Sequence, residues 1–312
     1  MTMPNFLIIG AARSGTTSLY YYLSQHPQVF LCPVKEANYF ALAGEELNFR
    51  GGAAGFLRAT SVTDRAQYEA LFAGAGSRPA IGDVSPRYLS DPRAAIRIAR
   101  EAPGARLIAV LRNPIDRAYS AYLRRVRDGI EPAADFRAAI RDEERRLRER
   151  WATSGYVTNG FYAKQLEPYL ERFGKDRLRI YRFEQLQREP ATLVRDLCQF
   201  LGVDDAFRPN LETTHNPSGI MPNPWVRLAW RKSHLLRQWV RPWIPQRLRH
   251  WAFQRVNRNL VKPALDDTLR RELIEVYRDD IHKLERMLDW DLSDWLRPSQ
   301  RTSVAVAHLQ AA

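Results

Sequence analysis

Cysteine is scarce: Cys32 and Cys198 are the only two in 312 residues, far apart and in no metal-ligand spacing. That scarcity argues against a disulfide framework or a cysteine-built zinc site, and it fits a reducing, cytoplasmic setting. No apolar run approaches the ~20 residues that cross a bilayer. The amino terminus passes from Met1 almost directly into Phe6-Leu7-Ile8-Ile9, so no signal peptide is expected. Acidic residues are missing from one long stretch. Between Thr213 and Leu265 there is no Asp or Glu, yet ten Lys or Arg occur, with five of the eight tryptophans. That segment supplies most of the net charge of +13, and the remainder is nearly balanced. With 45% hydrophobic and 11% aromatic residues, the chain can bury one large core, or one core with an appendage.

A further absence is a single lysine. Residues 10 to 17 read Gly10-Ala-Ala-Arg13-Ser14-Gly15-Thr16-Thr17, directly after the first apolar run. The glycine spacing is that of a phosphate-cradling loop, with Thr17 at the magnesium-ligand position, but Thr16 stands where the lysine belongs. The glycines still permit close approach of backbone N–H groups and of the next helix start to an anion. The side chain that reaches the β and γ phosphates of ATP is gone, and Arg13 offers a cation three residues earlier. The loop points to a phosphate-containing ligand other than Mg-ATP. Taken alone, its spacing also fits an ordinary tight strand-to-helix turn.

Apolar runs and breakers divide the rest. Residues 6–9 read as a strand, followed by a helix over about 16–25 that His26-Pro27 ends, with His26 as a structural cap. Residues 29–31 read as a short strand, 44–79 as loop with one short helix near 64–72, and 80–83 as the end of another strand. Residues 106–111 form the clearest buried strand. Asn113-Pro114 then supplies an N-cap and a proline at the first helical position, opening a helix to about residue 127. Residues 133–150 alternate Arg with Glu or Asp at helical spacing, which predicts a solvated helix held by i,i+4 pairs. Helices are expected at 161–173, at 191–201 before Gly202, and at 269–288, with a strand at 177–183. Strands alternating with helices predict an α/β fold of three layers, α/β/α, around a central parallel sheet. Binding loops belong at the carboxyl ends of its strands.

Arg112 ends the strand at 106–111, and Ser120 follows eight residues later on the helix opened by Asn113-Pro114. An arginine at a strand end, beside a helix start and a serine about two turns in, makes a second anion cradle. Two separated anion sites suggest a ligand with phosphate at two ends. On these blocks the chain resembles the sulfotransferases that use 3′-phosphoadenosine 5′-phosphosulfate (PAPS). The run from Gly10 to Leu19 is similar to their 5′-phosphosulfate-binding loop. Arg112-Asn-Pro-Ile-Asp-Arg-Ala-Tyr-Ser120 is similar to their 3′-phosphate-binding strand–turn–helix. Lys35-Glu36-Ala-Asn-Tyr39-Phe40 and Gly82-Asp83-Val84-Ser85-Pro86-Arg-Tyr88-Leu resemble further blocks of the bacterial and heparan-sulfate branches. Phe183-Glu184-Gln-Leu, Phe200-Leu201-Gly202-Val203 and Leu292-Ser-Asp-Trp295 match as well. Arg13 stands where the family often carries lysine, and Val84 where the heparan-type branch does.

The resemblance implies a PAPS-dependent sulfotransferase that needs no metal. Arg13, Ser14, Gly15, Thr16, Thr17 and Ser18 would hold the 5′-phosphosulfate, and Arg112 with Ser120 the 3′-phosphate. Glu36 is the expected general base, with Lys35 orienting the sulfuryl oxygens and Arg13 stabilising the leaving phosphate. Asp83 reads equally as a second acceptor-side carboxylate or as a helix-capping residue. The acceptor implied is a small molecule, glycan or glycolipid. The expected divisions are a PAPS-binding core at 1–212, a basic Trp-rich helical insert at 213–262, a C-terminal helix completing the core at 263–297, and a disordered tail at 298–312. The insert reads as two helices broken by Pro242 and Pro245, packed on the core with snorkelling arginines. Its exposed face offers peripheral contact with an anionic membrane. Nucleic acid is not an expected partner, since no reading module is present. Two rival readings are a P-loop kinase with Asp83 as magnesium ligand, which the missing lysine disfavours, and a non-catalytic anion- or membrane-binding protein.

Overall fold

The computed structural model describes residues 3–152, 155–211, 219 and 261–298. Five parallel strands form one sheet: Phe6–Gly10 (β1), Val29–Leu31 (β2), Ala80–Val84 (β3), Arg106–Leu111 (β4) and Leu178–Arg182 (β5), in the order β2-β3-β1-β4-β5. β1 and β3 are buried along their whole length and β4 at all but Arg106, as a sheet covered on both faces requires. Alternation along each strand serves two cores. Phe6, Ile8, Ile108 and Val110 pack with Leu19, Leu23, Leu197 and Leu201 on one face. Leu7, Ile9, Leu107 and Leu111 pack with Phe40, Ile98, Ile115, Leu166 and Tyr277 on the other. The fold is the expected three-layer α/β/α arrangement.

Local chemistry sets the helices that matter for the site. Asn113 Oδ1 accepts from the N–H groups of Ile115 and Asp116 at 3.0 and 3.3 Å, opening the helix Pro114–Asp128, and Gly129 at φ 74° closes it. The C-terminal helix Asp267–Leu288 packs on this helix and on Tyr162–Phe173. Its Asp280 accepts from the N–H groups of Ala163 and Lys164 at 3.0 and 3.2 Å. Trp295, just beyond it, is buried, and its carbonyl accepts from Asn113 Nδ2 at 3.3 Å.

Three expectations need correction. The segment 44–79 carries a further helix, Ala54–Thr60, besides Arg65–Ala70. Its Gly- and Ala-rich composition hides the helix because few large apolar residues mark a face. The stretch 133–150 is two short helices, Phe136–Arg141 and Glu143–Arg148, and it is only partly solvated. Arg146 and Glu131 are buried together at 2.9 Å, while Glu143 accepts from the Val157 and Thr158 N–H groups at 2.8 and 2.9 Å. Charge alternation reports helical spacing and is blind to a neighbouring segment that covers one face. Asp83 neither caps a helix nor stands open to an acceptor. It is fully buried and accepts from the hydroxyls of Tyr68 (3.0 Å), Ser85 (3.0 Å) and Tyr88 (2.5 Å). The insert 213–262 and the tail fall almost wholly outside the described residues.

Gly82 shows how tightly β1 and β3 pair. It lies opposite Phe6, and a Cβ there would meet the Phe6 ring at 2.1 Å. Gly82→Ala is expected to lower stability by about 1–3 kcal/mol, the scale of overpacking a filled core. Urea unfolding should show a lower midpoint with an unchanged m-value.

Candidate functional site

The strand order decides which loops meet. Along the carboxyl edge of the sheet stand, in turn, Lys35-Glu36 after β2, Ser85–Arg87 after β3, the loop Ala11–Gly15 after β1, and Arg112-Asn113 after β4. Between β1 and β4 the chain switches direction across the sheet, the place where open α/β sheets bind ligands.

The loop after β1 is held by backbone geometry. Gly15 has φ 90°, and a Cβ there would lie 2.3 Å from the Leu186 side chain, so glycine is required on both counts. The helix Thr16–Leu23 starts at once, with no side chain capping it. Ser14, Thr16 and Ser120 are buried, while Thr17 and Ser18 are half-buried on the first helical turn. Arg13 Nε donates to Ser120 Oγ at 3.1 Å, and Arg112 Nη1 donates to the Arg13 carbonyl at 3.2 Å. These two bonds join the anion loops that the sequence left separate. Arg112 also lies 4.7 Å from the centre of the Phe183 ring, and Tyr162 donates its hydroxyl to the Arg112 carbonyl at 2.9 Å.

Charge is crowded here. Burial, and then repulsion from Arg124, Arg127 and Arg112, pulls the Arg13 guanidinium down to a pKa of about 9. Burial also lowers Arg112 and Arg127. Asp128, which pairs with Arg124 and with Arg127, the latter at 3.3 Å, offsets only part of this. A group of four guanidiniums, three of them desolvated by burial, is complementary to a polyanion. Arg124 and Arg127 were not singled out in the sequence, although the signal was there: they stand four and seven residues after Ser120, on the same helix face.

Glu36 stands on a fixed turn. Its φ is 66° and that of Asn38 is 55°. The Glu36 N–H donates to the Val84 carbonyl at 3.1 Å, and Asn38 Nδ2 donates to the Glu36 carbonyl at 2.6 Å. The Asn38 N–H donates to Ser85 Oγ at 3.1 Å, and Ser85 in turn donates to Asp83. Buried Asp83 therefore anchors the turn that carries Glu36. The Glu36 side chain is 40% exposed and paired with Lys35 Nζ at 2.7 Å. Asn38 went unnoticed in the sequence because Ser85, which accepts its N–H, lies 47 residues further along the chain. Among the described residues, no cluster of three or more His, Cys, Asp or Glu could hold a metal, and no helix is long and apolar enough to cross a membrane.

Comparison with known proteins agrees with this geometry. Residues 4–207 match the model of the sulfotransferase family. A solved sulfotransferase from Alicyclobacillus acidocaldarius is 32% identical with a TM-score of 0.75, covering 95% of this chain and 100% of that one. Mouse bifunctional heparan sulfate N-deacetylase/N-sulfotransferase 4 is 26% identical over 314 residues, 95% of this chain but 31% of that protein. A membrane-associated sulfotransferase of Dictyostelium discoideum, kil1, is 31% identical over 122 residues, 39% of this chain and 23% of that one. The chain thus spans about a third or less of these curated relatives. It belongs to the sulfotransferase family.

Proposed function

We propose that the chain moves a sulfuryl group from PAPS to a hydroxyl or amine of a glycan or glycolipid. The observation that carries the donor reading is the pair of bonds linking Arg13 to Ser120 and Arg112 to Arg13, inside a group of four arginines. One continuous basic surface of this kind suits a donor with anionic groups at both ends of a nucleoside. PAPS supplies an activated sulfuryl group on a phosphate. In this reading Arg112 and Ser120 hold the 3′-phosphate, while the loop from Ser14 to Ser18 holds the 5′ end through N–H groups and hydroxyls. Arg13 places positive charge where the leaving phosphate gains negative charge, which is electrostatic stabilisation by a preorganised group. Glu36 accepts the proton of the acceptor hydroxyl or amine, and Lys35, beside it, orients the sulfuryl oxygens. The glycan preference draws on the heparan sulfate N-sulfotransferase among the relatives.

The remaining assignments follow the sequence. We assign 1–212 and 263–297 to one catalytic core and 213–262 to a basic insert. The insert, with ten basic residues and no acid, suits an anionic membrane or a lipid-linked acceptor, and a cytoplasmic setting would put it at the inner membrane face.

Arg112→Ala is expected to weaken 3′-phosphoadenosine 5′-phosphate (PAP) binding by about 2–5 kcal/mol, the cost of removing one partner of a buried charge pair. Calorimetry on folded protein reads this directly, and unchanged affinity would remove Arg112 from the 3′-phosphate. Glu36→Gln keeps size and hydrogen-bonding capacity but loses basicity. Turnover should fall about 100-fold or more with PAP affinity retained, whereas activity near wild type would assign the proton to another group. Purified protein should co-sediment with anionic but not neutral liposomes, and less so as salt rises, because exposed charges are screened within about 10 Å at 0.1 M. Arg237→Glu with Arg241→Glu should reduce that binding and leave PAP affinity alone. No sedimentation at low salt would end the membrane reading.

A further inference from the structure

The helix Pro114–Asp128 carries one arginine that no role above accounts for. Arg117 stands between Arg112 and Ser120 in the chain and is only 1% exposed. Arginine is seldom buried this deeply unless a carboxylate pairs with it. Arg117 makes no salt bridge among the described residues, and its Nε has no hydrogen-bond partner among them. The acids of the same neighbourhood are held by others. Asp116 pairs with Arg270 at 2.6 Å and Glu131 with Arg146 at 2.9 Å, while Glu143 accepts from the Val157 and Thr158 N–H groups.

The hydrogen-bond partners of Arg117 are neutral. Its Nη2 donates to the Tyr156 carbonyl. The Tyr277 hydroxyl, which donates to the Val157 carbonyl at 2.8 Å, is also bonded to the guanidinium. Burial raises the pKa of Tyr277 and of Tyr162, and in both the Arg117 charge is the largest effect opposing that shift. Tyr162 in turn donates to the Arg112 carbonyl at 2.9 Å. Burial lowers the pKa of Arg112, and repulsion from Arg117 adds to it. Arg117 is thus a buried cation set beside the residue that carries Arg112.

We propose that Arg117 is a positioning residue of the donor site: a buried cation without a carboxylate that braces Tyr162 behind Arg112 and adds to the field holding the donor's 3′-phosphate. The inference rests on the assignment of that phosphate to Arg112 and Ser120. Burying an unpaired charge costs stability. In a medium of low dielectric, its field also reaches further than it would in water. An anion arriving at Arg112 offsets the cost, so Arg117 lowers the stability of the empty site and raises its affinity. With its side chain buried and its fork spent on Tyr156 and Tyr277, Arg117 acts through Tyr162 and through charge, not through contact with the ligand.

The test sets Arg117→Met, apolar and of similar length, beside Arg117→Lys, which keeps the charge. Calorimetry reads the affinity for PAP and for adenosine 5′-phosphate, which lacks the 3′-phosphate, and thermal unfolding reads the ligand-free protein. Arg117→Met should weaken PAP binding about tenfold or more, the scale of one charge acting through a protein interior. Its affinity for adenosine 5′-phosphate should stay within about threefold of wild type, and its ligand-free Tm should hold or rise, as when a buried charge gives way to an apolar side chain. Arg117→Lys should keep most of the preference for PAP. If the methionine variant does not fold, Arg117→Gln carries the same two affinity expectations. Failure of both neutral variants to fold would make the charge a structural requirement and overturn the proposal. So would unchanged PAP affinity, an equal loss on both nucleotides, or a loss in Arg117→Lys as large as in Arg117→Met. Wild type that binds both nucleotides equally overturns the 3′-phosphate assignment beneath the proposal, whereas a wild-type preference that survives Arg117→Met overturns the proposal alone.

Discussion

Four guanidinium groups, Arg13, Arg112, Arg124 and Arg127, interact electrostatically at the carboxyl edge of the sheet, three of them desolvated, with Asp128 as the nearby acid. Like charges held close in a low dielectric repel strongly, and burial adds to the cost. The fold tolerates this because each group is held by a separate framework. Arg13 is set by the loop after β1, Arg112 by the end of β4, and the other two by one helix. That helix is pinned by the Asn113 cap, by Asp116 pairing with Arg270 at 2.6 Å, and by the packing of the C-terminal helix. An anionic ligand relieves the repulsion, so binding and stability are coupled at this edge. The terminal helix is remote in sequence from both anion loops, yet it helps hold the cations in register.

A second constraint is buried Asp83. Desolvation raises its pKa, and the three hydroxyls that donate to it, from Tyr88, Ser85 and Tyr68, act in the opposite direction. Burying a carboxylate is tolerable only when its lone pairs are satisfied. Here the satisfied carboxylate orients Ser85, whose oxygen receives the Asn38 N–H and so fixes a turn in which two non-glycine residues have positive φ. A half-exposed glutamate thereby acquires a defined position. Without that link, Lys35 and Glu36 would be an ordinary surface pair worth little.

In the proposed reading, the donor half of the site and the acceptor half are built differently. The donor half is preorganised charge on strand ends and a helix. The acceptor half is a turn, supported from beneath by an aromatic cluster in which Tyr68 stacks on Tyr39 and Phe40 meets Tyr88 edge-on. Loops on a rigid scaffold are where recognition varies among proteins of one fold.

Local signals sufficed for much of this protein. Apolar runs identified β1, β2 and β4, because a parallel sheet buried on both faces leaves an unbroken run. Asn113-Pro114 and Gly129 bound a helix through backbone chemistry that needs no distant partner. The lysine-free glycine loop and the Arg112 block carried the family. Residues whose roles depend on contacts across the chain were not legible. Asp83 looked like a cap or an acceptor-side carboxylate until its three hydroxyl partners were seen, and Arg146 looked solvated until Glu131 and the Trp151 ring were found against it. Arg124 and Arg127 were not singled out, and Arg117 was one letter in a motif. Periodicity and spacing record what a residue does to its own segment. Which segments then lie side by side, and so which charges are desolvated, paired or left open to a ligand, follows from the order of strands in the sheet. Only the tertiary structure decides that.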